Sequence, residues 1–96
     1  MKLYRELHVY QYYNEKNIPQ EMVSLQRLSG MVPAEQLVGV KTIHKLDQDY
    51  VLLDDIFDIV TRNGWWYVNT YWMTDNLGLG MFAPSGHAVL TFITEK

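Results

Sequence analysis

The sequence predicts an α+β domain, a small antiparallel sheet of three to five strands with two helices packed on one face. Three observations carry that expectation. Residues 2–13 and 65–74 alternate with period two, residues 50–64 repeat their apolar positions at three and four, and Gly, Pro and Asn clusters separate the segments. At 96 residues, 48% hydrophobic and 20% charged, the chain has the size and composition of one folded domain, residues 1–96. A chain of this length buries roughly 60 to 65% of the surface that its unfolded form exposes.

The elements follow in order. In residues 2–13, Leu3, Leu7, Val9 and Gln11 fall on one side of an extended backbone, and Tyr4, Glu6, His8, Tyr10 and Tyr12 on the other, which predicts a strand. Pro19 suits a first helical position, Met22, Val23, Leu25 and Leu28 follow at near-helical spacing, and Gly30 can end the segment. A helix is therefore expected over residues 19–29. Pro33 opens a turn through PAEQL, and the β-branched run VGVKTIHKL favours a strand.

Asp47 and Asp49 then offer capping carboxylates before YVLLDDIFDIVTRNG, where Leu52, Leu53, Ile56, Phe57 and Val60 line one side of a second helix that ends at Asn63 or Gly64. Asn-Gly is also a strong signal for a two-residue hairpin, so residues 54–63 have a rival reading as the first arm of one. The Asp-rich start favours the helix, because strands avoid Asp and helix N-termini attract it. Trp65 to Thr74 reads as a strand, DNLGLG and APSG as turns, and HAVLTFIT as a last strand.

Over residues 50–96 the order helix, Gly-Trp, strand, turn and terminal strand resembles small bacterial domains of unknown function that carry a "GWELV" signature. The matching stretch is NGWWYV, with Trp66 and Tyr67 where the signature has Glu and Leu. The resemblance implies a helix on a small antiparallel sheet and no chemistry.

Charge and composition exclude several function classes. A net charge of −3 with only eight scattered Lys and Arg argues against general affinity for a phosphate backbone. With no cysteine there is neither a disulfide framework nor thiolate chemistry. Arg5, Glu6 and His8 interrupt the apolar core that a signal peptide requires, and no run reaches membrane-spanning length, so a cytoplasmic protein without a membrane role is expected.

The chemistry-bearing motifs mostly fail on spacing. Asp47, Asp49, Asp54, Asp55 and Asp58 fall within a stretch that lacks Lys and Arg; they suit helix capping and a solvated face, an acidic patch for a basic partner, or a divalent cation. An EF-hand loop would need a central Gly and a final Glu, and the run has neither. His8, His44 and His87 lack ligand spacing, so no metal or other cofactor is expected. Ser85-Gly86-His87 sets a hydroxyl near an imidazole without an orienting carboxylate, and Gly78-Leu79-Gly80 lacks the further glycines and helix start of a phosphate loop. PAEQLVGVKTIHKL, residues 33–46, echoes a helix-turn-helix through Ala34, Leu37, Gly39, Val40, Thr42, Ile43 and Leu46. Only Lys41 separates Val40 from Thr42, which is too short a turn.

The densest feature is RNGWWYVNTYW, which places five of the chain's thirteen aromatics between Trp65 and Trp72. Strict alternation puts Trp65, Tyr67, Asn69, Tyr71 and Met73 on one face and Trp66, Val68, Thr70, Trp72 and Thr74 on the other. Helices on one side of a sheet cover only one of those sets. The expectation is a non-catalytic binding or regulatory protein, an inhibitor or adaptor of the kind carried by phages and mobile elements. It would present Tyr4, Tyr10, Tyr12, Trp65, Tyr67, Tyr71 and Trp72, flanked by the five aspartates, to a protein partner or to its own copy. The alternative is a small helix-turn-helix-like DNA-binding regulator through residues 33–46.

Overall fold

The computed structural model describes residues 2–74 and 86–95. They form one antiparallel sheet of six strands: β1 (Lys2–Tyr13), β2 (Pro19–Ser24), β3 (Thr42–Lys45), β4 (Gln48–Leu52), β5 (Trp66–Thr74) and β6 (Gly86–Glu95), in the order β3-β4-β2-β1-β6-β5. Between the strands lie a single helical turn, α1 (Leu25–Leu28), a 3-10 turn at Ala34–Leu37, and one substantial helix, α2 (Leu53–Arg62). The expected three to five strands with two helices on one face are therefore corrected, among the described residues, to six strands and one helix of more than a turn.

The main departure lies at residues 19–29, where a helix was expected and a central strand is found. Val23 pairs with Val9 of β1 on one side and Val51 of β4 on the other, while Met22 pairs with Tyr10 and Leu52. Both Met22 and Val23 are buried although they point to opposite faces. Apolar residues at consecutive positions satisfy a central strand whose side chains are buried on both faces as well as they satisfy a helix, and spacing alone cannot separate the two. β1 pairs with it over Pro19–Val23 and β4 over Met22–Ser24, so its buried positions are paired from both sides, and Pro19, lacking an N–H, sits at the strand's first position.

Two tight turns close the other hairpins on this side of the sheet. Asn14 accepts, through Oδ1, the N–H groups of Lys16 (2.9 Å) and Ile18 (3.0 Å) between β1 and β2. Leu46 and Asp47 both have positive φ (50° and 63°), the geometry of a two-residue turn whose twist matches its strands, between β3 and β4. The Asp-rich segment is thus a hairpin followed by a helix. Asp47 lies in the turn and Asp49 on β4, and neither caps α2, whose N-cap position is held by Leu52.

α2 forms for the reasons its sequence suggests. Leu53, Ile56 and Val60 are buried against the sheet, and Asp54 and Asp55 occupy the first turn, where the helix dipole favours carboxylates. Asn-Gly ends this helix and makes no hairpin. The Asn63 side-chain amide donates to the Ile59 carbonyl (2.7 Å), Gly64 turns the chain at φ +89°, and the Trp65 N–H returns to the Val60 carbonyl (3.3 Å).

One core results, on one side of the sheet. Leu7, Val9, Val23, Val51, Leu90 and Phe92 project from the strands and meet Leu28, Met31, Val32, Leu53, Ile56, Val60 and Trp65. Trp65 is 2% exposed, and its indole N–H donates to the Met31 carbonyl at 3.0 Å. That bond pins the segment after α1 over the sheet.

Candidate functional site

The side of the sheet opposite α2 has no helix on it among the described residues. Register places there Tyr4, Glu6, His8, Tyr10 and Tyr12 of β1, Trp66 and Tyr71 of β5, His87, Val89 and Thr91 of β6, Met22 of β2 and Tyr50 of β4. β1 and β5 are not neighbours, because β6 runs between them. Their aromatic rings nonetheless belong to one surface, since every second residue of each antiparallel strand points to the same side.

A bulge decides which rings of β5 belong to it. Tyr67 is opposite Phe92 and Asn69 opposite Thr91, so Val68 is an extra residue and the alternation inverts across it. Trp66 therefore joins Asn69, Tyr71 and Met73 on the open face, while Tyr67 joins Thr70 and Trp72 on the helix side. This corrects the strict alternation expected from sequence. Trp65, expected at the surface, is core. Tyr67 packs against Phe57 and Phe92, with ring centroids 6.3 and 6.0 Å away, and its hydroxyl meets that of Thr70 at 2.6 Å. Trp72 is 63% exposed but on the helix side. Tyr4, Tyr10, Tyr12 and Tyr71 do share one face, and Trp66, 72% exposed, belongs with them.

Two polar arrangements order this face. Glu6 accepts hydrogen bonds from the Tyr4 hydroxyl (3.0 Å) and from the Tyr71 hydroxyl, linking β1 to β5 across β6. The Tyr71 bond, and secondarily that of Tyr4, hold the Glu6 carboxyl below its usual range, because both favour the ionised form. In turn the adjacent carboxylate pushes Tyr71 up to about 12.

Beside it, His8 Nδ1 and His87 Nε2 lie 2.7 Å apart. One ring must donate and the other accept, so at least one is neutral. Tyr10 stacks on His87 at 5.0 Å between centroids and meets Tyr50 edge-on at 6.0 Å. Sequence reasoning placed His8 on this face but missed the His8–His87 pair, and it missed Tyr50 because that residue read as helical. The only hint was that Tyr10 and His8 share a side of β1.

Four of the five aspartates stand on the helix side of the sheet, Asp49 on the same side of β4 as Val51. Asp54, Asp55 and Asp58 stand on α2, which lies across the sheet from the open face. Asp58 meets Arg62 Nε at 3.2 Å, and Asp49 meets His44 Nδ1 at 2.8 Å, all four side chains being well exposed. Among the described residues no three His, Cys, Asp or Glu converge as a cation site would require.

Residues 33–46 contain a 3-10 turn and then β3, which pairs with β4, so the two helices of a helix-turn-helix are not formed. Ser85, Gly78 and Gly80, with the expected turns DNLGLG and APSG, lie outside the described residues. Among the described residues no helix is long and apolar enough to cross a membrane.

Together these features define a single antiparallel sheet backed on one side by a helix and on the other presenting tyrosine and tryptophan rings around a buried His87. No protein-family model, curated protein or solved structure matches the chain.

Proposed function

We propose that this chain is a small non-catalytic binding protein, an inhibitor or adaptor, whose open sheet face contacts another protein. The observation that supports this most is the exposure of Trp66, Tyr4, Tyr10 and Tyr71 on one face that no described element covers. Tyr and Trp supply large contact area with few rotatable bonds, and interfaces are enriched in them and poor in Lys. The Glu6 and Tyr10–His87 arrangements hold several of these rings in place before contact, which lowers the entropy lost on binding. The acidic residues of α2 face away from this surface and act as a solvated helix flank.

The test is affinity capture with the immobilised chain, wild type against a Tyr4→Ala/Tyr10→Ala/Trp66→Ala variant and an Asp54→Asn/Asp55→Asn control. The expected result is a protein held by the wild type and the control and lost, by about tenfold or more, on the aromatic variant. A captured set indifferent to the three ring deletions would sink the proposal.

A further inference from the structure

The two edges of the sheet are built differently. β3 is four residues long and carries His44 and Lys45, with Lys41 just before it. Short, cationic edge strands resist pairing with other chains. β5, the opposite edge, is nine residues long and contains no Asp, Glu, Lys, Arg or Pro. Among the described residues, only β6 pairs with it. Its one protective feature is the bulge at Val68, and beyond that bulge Asn69–Thr74 keep regular register with β6. Such a strand presents a row of outward N–H and C=O groups and nothing that repels a second strand.

We infer that the outer edge of β5 pairs antiparallel with β5 of a second copy of this chain, joining two sheets into one. Charge favours this occupant: each copy is acidic overall, at −3, and this neutral strand lets two copies meet without setting like charges opposite one another. Symmetry favours it too, because an antiparallel pair about a two-fold axis needs only one self-complementary strand. With the axis through Tyr71, Thr70 faces the second copy's Trp72 and Asn69 its Met73, each pair on one side of the sheet. In this register the ladder runs over Asn69 to Met73 of each copy, the regular part of β5 beyond the bulge, and Trp66 and Tyr67 lie outside it. A consequence is that both open faces lie on the same side of the joined sheet. The inference deepens the proposed reading of this chain as a contact protein, but it uses the backbone edge of β5, and of the open face's rings only Tyr71 stands at the seam.

Sedimentation equilibrium of the full chain tests it, with circular dichroism to verify folding of each variant. The wild type should sediment at twice its 11.3 kDa at micromolar to hundred-micromolar concentrations. Thr70→Lys and Trp72→Lys should return it to monomer, while Tyr4→Ala/Tyr10→Ala, on the open face, should leave it dimeric. Since the chain has no cysteine, single substitutions Thr70→Cys, Tyr71→Cys and Trp72→Cys give an independent reading. The one nearest the axis should form a covalent dimer under mild oxidation, and Thr42→Cys on the β3 edge should not. A monomeric wild type, a dimer that the lysine variants leave intact, a dimer that Tyr4→Ala/Tyr10→Ala also breaks, or no cross-linking above the Thr42→Cys level would each overturn the edge pairing. None of those results bears on protein capture by the open face, which its own experiment decides.

Discussion

Trp65 and Trp66 are adjacent in sequence and opposite in situation, and replacing each with Phe is the sharpest test of this fold. Trp65 is buried in the core, and its indole N–H donates to the Met31 carbonyl at 3.0 Å. Phenylalanine keeps a ring but removes that donor and the second ring's atoms. An orphaned buried acceptor costs about 1–3 kcal/mol, and the lost carbons about 0.8 kcal/mol per methylene-sized group. Trp65→Phe should therefore cost about 3 kcal/mol, a large share of the roughly 5–14 kcal/mol that a domain of this length commands. Trp66 is 72% exposed, and Trp66→Phe should change stability by less than about 0.5 kcal/mol. Urea unfolding followed by far-ultraviolet circular dichroism measures both, with midpoints shifting at constant slope. Equal effects of the two substitutions, or a Trp65→Phe cost under about 1 kcal/mol, would refute the placement of Trp65 and its bond to Met31.

Other outcomes follow from the same structure. Because hydrogen bonds from Tyr71 and Tyr4 depress the folded pKa of Glu6, its contribution to stability is present above the unfolded value of 4.5 and is lost as pH falls through the lower folded value; Glu6→Gln should flatten the acid limb of a stability–pH profile. Tyr71, raised to about 12, contributes stability that is fully present below its ordinary 10.0 and lost as pH rises through 12; phenolate absorbance should show its titration returning toward 10.0 in Glu6→Gln. Gly64→Ala should cost about 1–2 kcal/mol in denaturant unfolding. Space is not the reason, since the added carbon would meet Thr94 Oγ1 at an ordinary 3.5 Å, but φ of +89° is strained for any L side chain. Ile56→Ala should cost about 2–5 kcal/mol, whereas Asp58→Ala, losing only a surface pair with Arg62, should cost less than about 1 kcal/mol.

Much of the local structure was legible because it rests on local patterns. The alternation of residues 2–13 matches β1, and the spacing of Leu53, Ile56 and Val60 marks the buried side of α2. Residues 65–74 and the C-terminal run correspond to β5 and β6 within a residue or two. Residues 19–29 were not legible, because Met22, Val23, Leu25 and Leu28 satisfy both a helix and a two-sided central strand followed by one helical turn. Of the candidate face, Tyr4, Tyr10 and Tyr12 followed from alternation alone. The assignment of Trp66 in place of Tyr67 did not, since a bulge depends on the partner strand and leaves no mark in the bulged strand's own pattern.

Sequence alone thus determined two ring-bearing strands, favoured a helix ending at Asn-Gly, and set a net charge of −3 with eight scattered Lys and Arg. These follow from composition, spacing and charge, which need no knowledge of what lies opposite. Only the tertiary structure decided that six strands pair, that β6 separates β1 from β5, that Trp65 is core while Trp66 is surface, and that the aspartates of α2 stand across the sheet from the tyrosines. Each of those depends on which distant segment supplies the hydrogen bonds and cover for a strand, and pairing over long sequence separations is a property of the whole chain.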